Sequence, residues 1–244
     1  MTAPAPEILP LGLDGILVRF ADTLSEAGNR AGLAFIASLR REQPAGITET
    51  ATSLTSVLVR FNPANTTRAR IEDRLRGLLS DRDWYSAPLP EGRTLWRIPA
   101  VFGGDHGPQL DEVADMVGLS PERAVEDIAG SQLRVLAIGF APGQPYLGFL
   151  GEHWNIPRQK AVAPQVPRGA VVVAVRQVIP FANAAPTGWW QIGQTAFRCY
   201  AREGTPPIPL RAGDSVRFEP VPARDFAALT EAGPLGGVIA EPVP

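Results

Sequence analysis

The sequence predicts an α+β protein built in two parts, a strand-and-helix domain followed by a β-barrel. Up to about residue 92 the hydrophobic pattern switches between the period of two that marks strands and the period of 3.6 that marks helices. From about residue 133 it is almost wholly β, with prolines collected between the strands as long crossing loops require. Composition agrees: 45% hydrophobic and 20% charged residues over 244 positions are enough to bury two modest cores.

In the first part, Ile16, Val18 and Phe20 alternate as a half-buried strand does. Thr23 and Glu26 have capping-box spacing, and Leu24, Ala27, Ala31, Phe35 and Leu39 follow with helical period until Pro44. Two extended stretches, Ile47 to Ser53 and Thr55 to Phe61, precede a second helix over Asn65 to Ser80 with Ile71, Leu75, Leu78 and Leu79 on one face. A strand over Leu95 to Phe102 completes the order β-α-β-β-α-β, that of a split ferredoxin-like unit, unless this last strand belongs to the next domain. The turn-rich stretch Ser86 to Gly92 divides a domain over 1–92 from one over 93–244. Beyond it come two short helices, Gln109 to Val117 and Pro121 to Gly130. Four strands follow, over Leu133 to Phe140, Ala170 to Ile179, Trp189 to Tyr200 and Ser215 to Val221.

Several classes of function are excluded or disfavoured. The net charge of −2 lacks the basic excess that nucleic-acid backbones select, and the one lysine among 23 basic residues, Lys160, points to a compositional bias toward arginine. No apolar run is long enough to span a bilayer and the opening MTAPAPEILP has no leader pattern, so a cytoplasmic location with no membrane partner is expected. P-loop, dinucleotide-fold, zinc-protease, C-x-x-C and serine-elbow motifs are all missing. Only His106 and His153 exist as imidazoles, so no metal site is expected. Cys199, alone among strand-like residues, reads as buried and inert.

One stretch stands out chemically. Gly139 to Gly148, GFAPGQPYLG, packs prolines and glycines so densely that some φ angles are fixed and others freed. Such a loop is neither helix nor strand; it is either a barrel corner packed by Phe140 and Tyr146 or a loop that brings backbone N–H groups to a ligand. Arg158 could grip a carboxylate or phosphate bidentately, or serve as a solvated or structural arginine. Gln177, at the end of the apolar run Val171 to Val175, needs partners if buried, and is a ligand or interface contact or a satisfied core amide. Tyr146 and Trp189 line a pocket or pack the barrel. Asp105 and Asp111 could act as acids or contact metal-bound phosphate, although Asp111 at a helix start is favoured by the dipole alone. His106 and His153 read as exposed loop residues.

The ordered motifs GFAPGQPYLGFL at Gly139 to Leu150, Pro157-Arg158, Val166-Pro167-Arg168-Gly169, Gln177 and PTGWWQIG at Pro186 to Gly193 resemble the family of the 5-oxoprolinase B component, also called Kip I or allophanate hydrolase subunit 1, of the carboxyltransferase-domain type. FGGDHGPQLDEVA from Phe102 and SVLVRFNP from Ser56 extend the likeness over most of the chain. The resemblance implies a ferredoxin-like N-terminal domain and a cyclophilin-like C-terminal barrel. It implies work with partner subunits, the C and A components, to open 5-oxoproline to glutamate with ATP and Mg2+. Phosphorylating the carbonyl oxygen of an unstrained lactam would supply its leaving group. Some members are instead described as inhibitors of a sensor histidine kinase, and related domains occur in urea amidolyases. Carried onto this sequence, Arg158 and Gln177 are the catalytic candidates, and Gly139, Phe140, Pro142, Gly143, Pro145, Tyr146, Pro167, Gly188 and Trp189 the ligand-binding ones. The chain departs from the pattern where Ile128 and Ala129 replace histidine and serine or threonine. It departs again at Gln144, Phe149, Thr187 and the stretch Val178, Ile179, Phe181, Ala182, positions at which a binding contact would be lost.

Overall fold

A computed structural model describes residues 5–243, and the chain divides into two compact units, Met1–Glu91 and Gly92–Pro244. The first unit opens with a hairpin of β1 (Glu7–Leu11) and β2 (Gly15–Arg19), followed by α1 (Glu26–Glu42). β3 (Ile47–Ser53), β4 (Ser56–Phe61) and α2 (Arg68–Ser80) complete it. Its four-stranded antiparallel sheet runs β1-β2-β4-β3. Ile16 and Val18 alternate inward with Val57 and Val59, and both helices add to that core through Phe35, Leu39, Ile71 and Leu75. Burying a side chain such as Phe35 contributes about 2 kcal/mol. Ser25, not Thr23, caps α1: its hydroxyl accepts from the Gly28 N–H at 3.1 Å, so the helix starts later than the Thr23–Glu26 spacing suggests. The strand expected from Leu95 to complete this unit's order is not in its sheet, where β1 forms the edge beside β2. The expected strand belongs to the second unit.

That unit begins with β5 (Thr94–Phe102), α3 (Leu110–Val117) and α4 (Pro121–Gly130). The strands β6 (Leu133–Ile138), β7 (Pro145–Gly148), β8 (Ala163–Val166), β9 (Ala170–Ala174), β10 (Gln177–Pro180), β11 (Ala185–Thr187) and β12 (Trp190–Gln194) follow. β13 (Ser215–Pro220), α5 (Phe226–Glu231) and β14 (Ile239–Pro242) end it. Seven strands form a ring, β12-β9-β10-β7-β6-β13-β5, which closes where Gly193 and Gln194 of β12 pair with Phe102 and Val101 of β5. β13 runs parallel to β5 and β14 adds outside the ring on the first half of β5. Closure leaves the barrel no open edge along that seam.

Alternation along the strands makes two apolar layers. Val171, Val173 and Val178 face inward, where Ile98, Leu133 and Phe218 meet Val113, Ala124 and Ile128 from α3 and α4. Ala170, Val172, Ala174, Ile179 and Phe181 face the other way into a second cluster with Val166 and Trp189. The stretch expected as one strand from Ala170 to Ile179 is therefore a hairpin. Val175 and Arg176, at φ 46° and 64°, make its two-residue turn in left-handed backbone without the Asn or Gly that would announce it. The expected strand from Trp189 to Tyr200 likewise ends at Gln194. Among the described residues no helix is long and apolar enough to cross a membrane.

Candidate functional site

The turn after β6 has the rigid shape its composition demands. The Gly139 N–H donates to the Gln144 carbonyl at 3.0 Å, and the Gln144 N–H to that of Ala141 at 3.1 Å. Phe140 stands at φ 69° and is 87% exposed, and Pro142 beside it is exposed too. Gly143 has φ 73° and lies so close to the next segment that a Cβ there would sit 2.4 Å from the Cys199 carbonyl oxygen, so only glycine fits. The second half of the expected loop is instead a strand. Pro145 to Gly148 form β7, whose Leu147 pairs with Val178, because the proline leads into the ladder without blocking it. Pro145 is buried, and Tyr146 packs against the outer cluster.

On that outer face lies Gln177, the first residue of β10 and 6% exposed. Its Nε2 is buried and meets no acceptor among the described residues, an arrangement that costs about 1–3 kcal/mol in the free protein. Gly148 is its neighbour on the adjoining strand. Among the described residues no group satisfies this N–H pair, as the core-amide alternative requires.

Arg158 is set by the segment around it. The Gln159 N–H donates to the Gly188 carbonyl at 2.7 Å and its Nε2 to the Trp189 carbonyl at 2.6 Å, while the Trp190 indole donates to the Pro157 carbonyl at 2.8 Å. Gln159 and Gln109 exchange amide bonds at 3.0 and 3.2 Å, and the Gln109 oxygen also accepts from the Gln191 N–H at 2.7 Å. This clasp fixes the backbone on both sides of Arg158, whose guanidinium carbon lies 5.3 Å from the centre of the Trp189 ring. Among the described residues Arg158 has no carboxylate partner, so an exposed, stacked guanidinium is left for an oxyanion.

The structure therefore joins Arg158, Gly188 and Trp189, with Tyr146 in the same outer cluster as Trp189. It does not join everything. No hydrogen bond or ring contact links Arg158 to Gln177 or to the 139–144 turn among the described residues, and Pro167 sits in an exposed turn before β9. Trp189, 5% exposed, chiefly packs the cluster. Gln109 and Gln159 had no trace in the sequence pattern, because a bond across fifty positions leaves no periodicity. A signal of another kind was available: no Asp or Glu lies between Glu152 and Glu203, a stretch that holds Arg158, Lys160, Arg168, Arg176, Arg198 and Arg202. Of these Arg176 is paired, with Glu152.

The altered family positions are mostly core. Ile128 is wholly buried in the barrel core, as is Val178, while Ile179 and Phe181 fill the outer cluster. His106 is not a free loop residue: its Nδ1 bonds Gln194 at 3.0 Å and its ring packs on Phe226. His153 is half-exposed and bonds Asp127 at 2.8 Å, and the Trp154 indole donates to the same oxygen at 2.6 Å. Burial alone would raise the Asp127 carboxyl, but the bonds from Trp154 and His153 hold it below its usual value. Burial pushes the Cys199 thiol up to about 12, which leaves it inert at neutral pH. Among the described residues no group of three His, Cys, Asp or Glu could hold a metal ion.

Comparison with known proteins decides the lineage. Residues 6–210 match the family described as carboxyltransferase domain, subdomain C and D. The chain belongs to this family. The carboxyltransferase-domain match ends before β13, which the ring nonetheless needs for closure. A curated relative, the B component of 5-oxoprolinase from Bacillus subtilis (strain 168), is 29% identical over 239 residues, covering 92% of this chain and 97% of its own. Among solved structures, TTHA0988 is 31% identical with a TM-score of 0.71 over 86% of this chain; the chain spans only 40% of that protein. The urea amidolyase of Kluyveromyces lactis superposes with a TM-score of 0.74 over 99% of this chain and 16% of its own, and at 17% identity that likeness speaks for the fold alone.

Proposed function

We propose that this chain is the B component of an ATP-dependent complex that opens a lactam, with 5-oxoproline as substrate and glutamate as product, the site being completed by the C and A components. The observation that carries the reading is the unpaired Arg158 guanidinium, stacked on Trp189 and held by the Gln109–Gln159 clasp within a stretch free of acidic residues. Such a group suits the substrate carboxylate or a nucleotide phosphate. The unsatisfied Gln177 N–H is a donor waiting for a carbonyl oxygen, the group on which charge develops when a lactam opens. The name of the Bacillus subtilis relative supports the same assignment. ATP, when bound, supplies the phosphoryl group that turns the lactam oxygen into a leaving group. This chain's arginines fit its phosphates better than its metal, so we assign the Mg2+ contacts to the partner. In the same reading the barrel is cyclophilin-like. The N-terminal unit is ferredoxin-like, with β1 standing where the last strand of that fold would lie.

The test is ATP consumption dependent on 5-oxoproline by the chain assembled with homologues of the C and A components. Arg158→Gln is expected to lower kcat/KM about tenfold or more. An assembled complex without turnover on 5-oxoproline, or one indifferent to Arg158→Gln, overturns the reading.

One observation favours a second reading, a non-catalytic module that docks on a sensor histidine kinase. Phe140 presents an aromatic ring to solvent from a stiff turn, the manner of a binding anchor. Kinase autophosphorylation in the presence of the wild-type chain and of Phe140→Ala separates the two: inhibition by the first alone supports docking.

A further inference from the structure

The N-terminal unit contains a cleft of about 490 Å³, within the range of small-molecule sites. α1 contributes Ala34, Ala37, Ser38 and Arg41 to its lining, and the stretch after α2 contributes Arg82, Trp84 and the segment 87–91. Seven of the ten arginines of this unit are engaged: Arg19, Arg30, Arg60, Arg74 and Arg76 each pair with a carboxylate, Arg40 bonds Thr50, and Arg68 donates to the carbonyls of Gly12, Leu13 and Gly15. Arg41 and Arg82 are not, and neither has a carboxylate partner among the described residues. Arg82 is held in place by the Trp84 ring, 5.1 Å from its guanidinium carbon. Ser38, only 7% exposed, lines the same cleft, and its hydroxyl has no hydrogen-bond partner among the described residues. The hydroxyl opens into the cleft, where it can donate to a ligand in place of water. The remaining wall is apolar, from Pro88, Leu89 and Pro90, except for Glu91, which pairs with neither arginine.

We propose that this cleft binds a small organic anion, a carboxylate or phosphate monoester carried on an apolar body. The oxyanion meets Arg41 and Arg82, the Ser38 hydroxyl donates to it, and the proline-rich wall covers the hydrocarbon. The site is formed by N-terminal residues alone and does not depend on the role assigned to Arg158.

Calorimetric titration of the full chain with phenyl phosphate, phenylacetate and inorganic phosphate tests it. At least one aryl anion is expected to bind saturably, and inorganic phosphate about tenfold or more weakly because it gains nothing from the apolar wall. Arg41→Gln with Arg82→Gln is expected to weaken binding about tenfold or more. Glu91→Gln is expected to tighten it, and Arg158→Gln to leave it unchanged. Because both arginines are exposed, the double variant should keep the wild-type melting transition; the single variants carry the same test if it does not. Absence of saturable binding by either aryl anion, or undiminished binding in folded arginine variants, overturns the proposal.

Discussion

Gln177 separates structural from functional demand at a single side chain. Its buried N–H without an acceptor weakens the free protein, so Gln177→Leu is expected to raise stability by about 1 kcal/mol in a denaturant titration. The same substitution is expected to abolish turnover in the assembled complex; retained turnover would make the amide a structural oddity. Asp127 gives a pH signature. Its carboxyl is depressed in the folded state, so the stability it contributes is present above the ordinary carboxylate range and lost as pH falls through its lowered value. Asp127→Asn should therefore be less stable than wild type at neutral pH. The gap in melting temperature is expected to narrow below about pH 4. A gap that is constant across that range would mean that the bonds from Trp154 and His153 survive protonation.

At the scale of elements, the β9–β10 hairpin turns through Val175, a β-branched residue at φ 46° and 40% exposed. Left-handed backbone disfavours such a side chain by about 1–2 kcal/mol, and Asn tolerates it better. Val175→Asn is expected to raise the melting temperature with the barrel unchanged, and a lowered one would show that Val175 contributes packing that outweighs its backbone strain. The same turn explains what could be read in the sequence. Ile16 to Phe20, α2 and α4 were legible because each carries its own period or cap. The division of Ala170 to Ile179 into two strands was not, since an unbroken apolar run hides a turn that lacks glycine. β7 was hidden for the opposite reason: its flanking prolines and glycines read as loop, and only pairing with β6 and β10 makes it a strand. The site divides likewise. Arg158 and Gln177 lay in readable motifs, whereas the Gln109–Gln159 clasp exists only once the barrel brings its two sides together.

At the scale of the molecule, β5 joins the second unit's beginning to its end. It meets β12 near its last residues, β13 along its length and β14 near its first. A chain ending at residue 210 would lack β13 and leave β5 and β6 with unpaired edges. Such a chain is expected to lose the barrel's cooperative thermal transition and to aggregate; a sharp melt with native-like near-UV circular dichroism would refute this. The consequence reaches into synthesis. A ribosome extends the chain from its N-terminus, so β5 and the strands as far as β12 emerge before β13 follows to complete the cylinder. During that interval the half-made sheet is vulnerable to strand swapping with its neighbours.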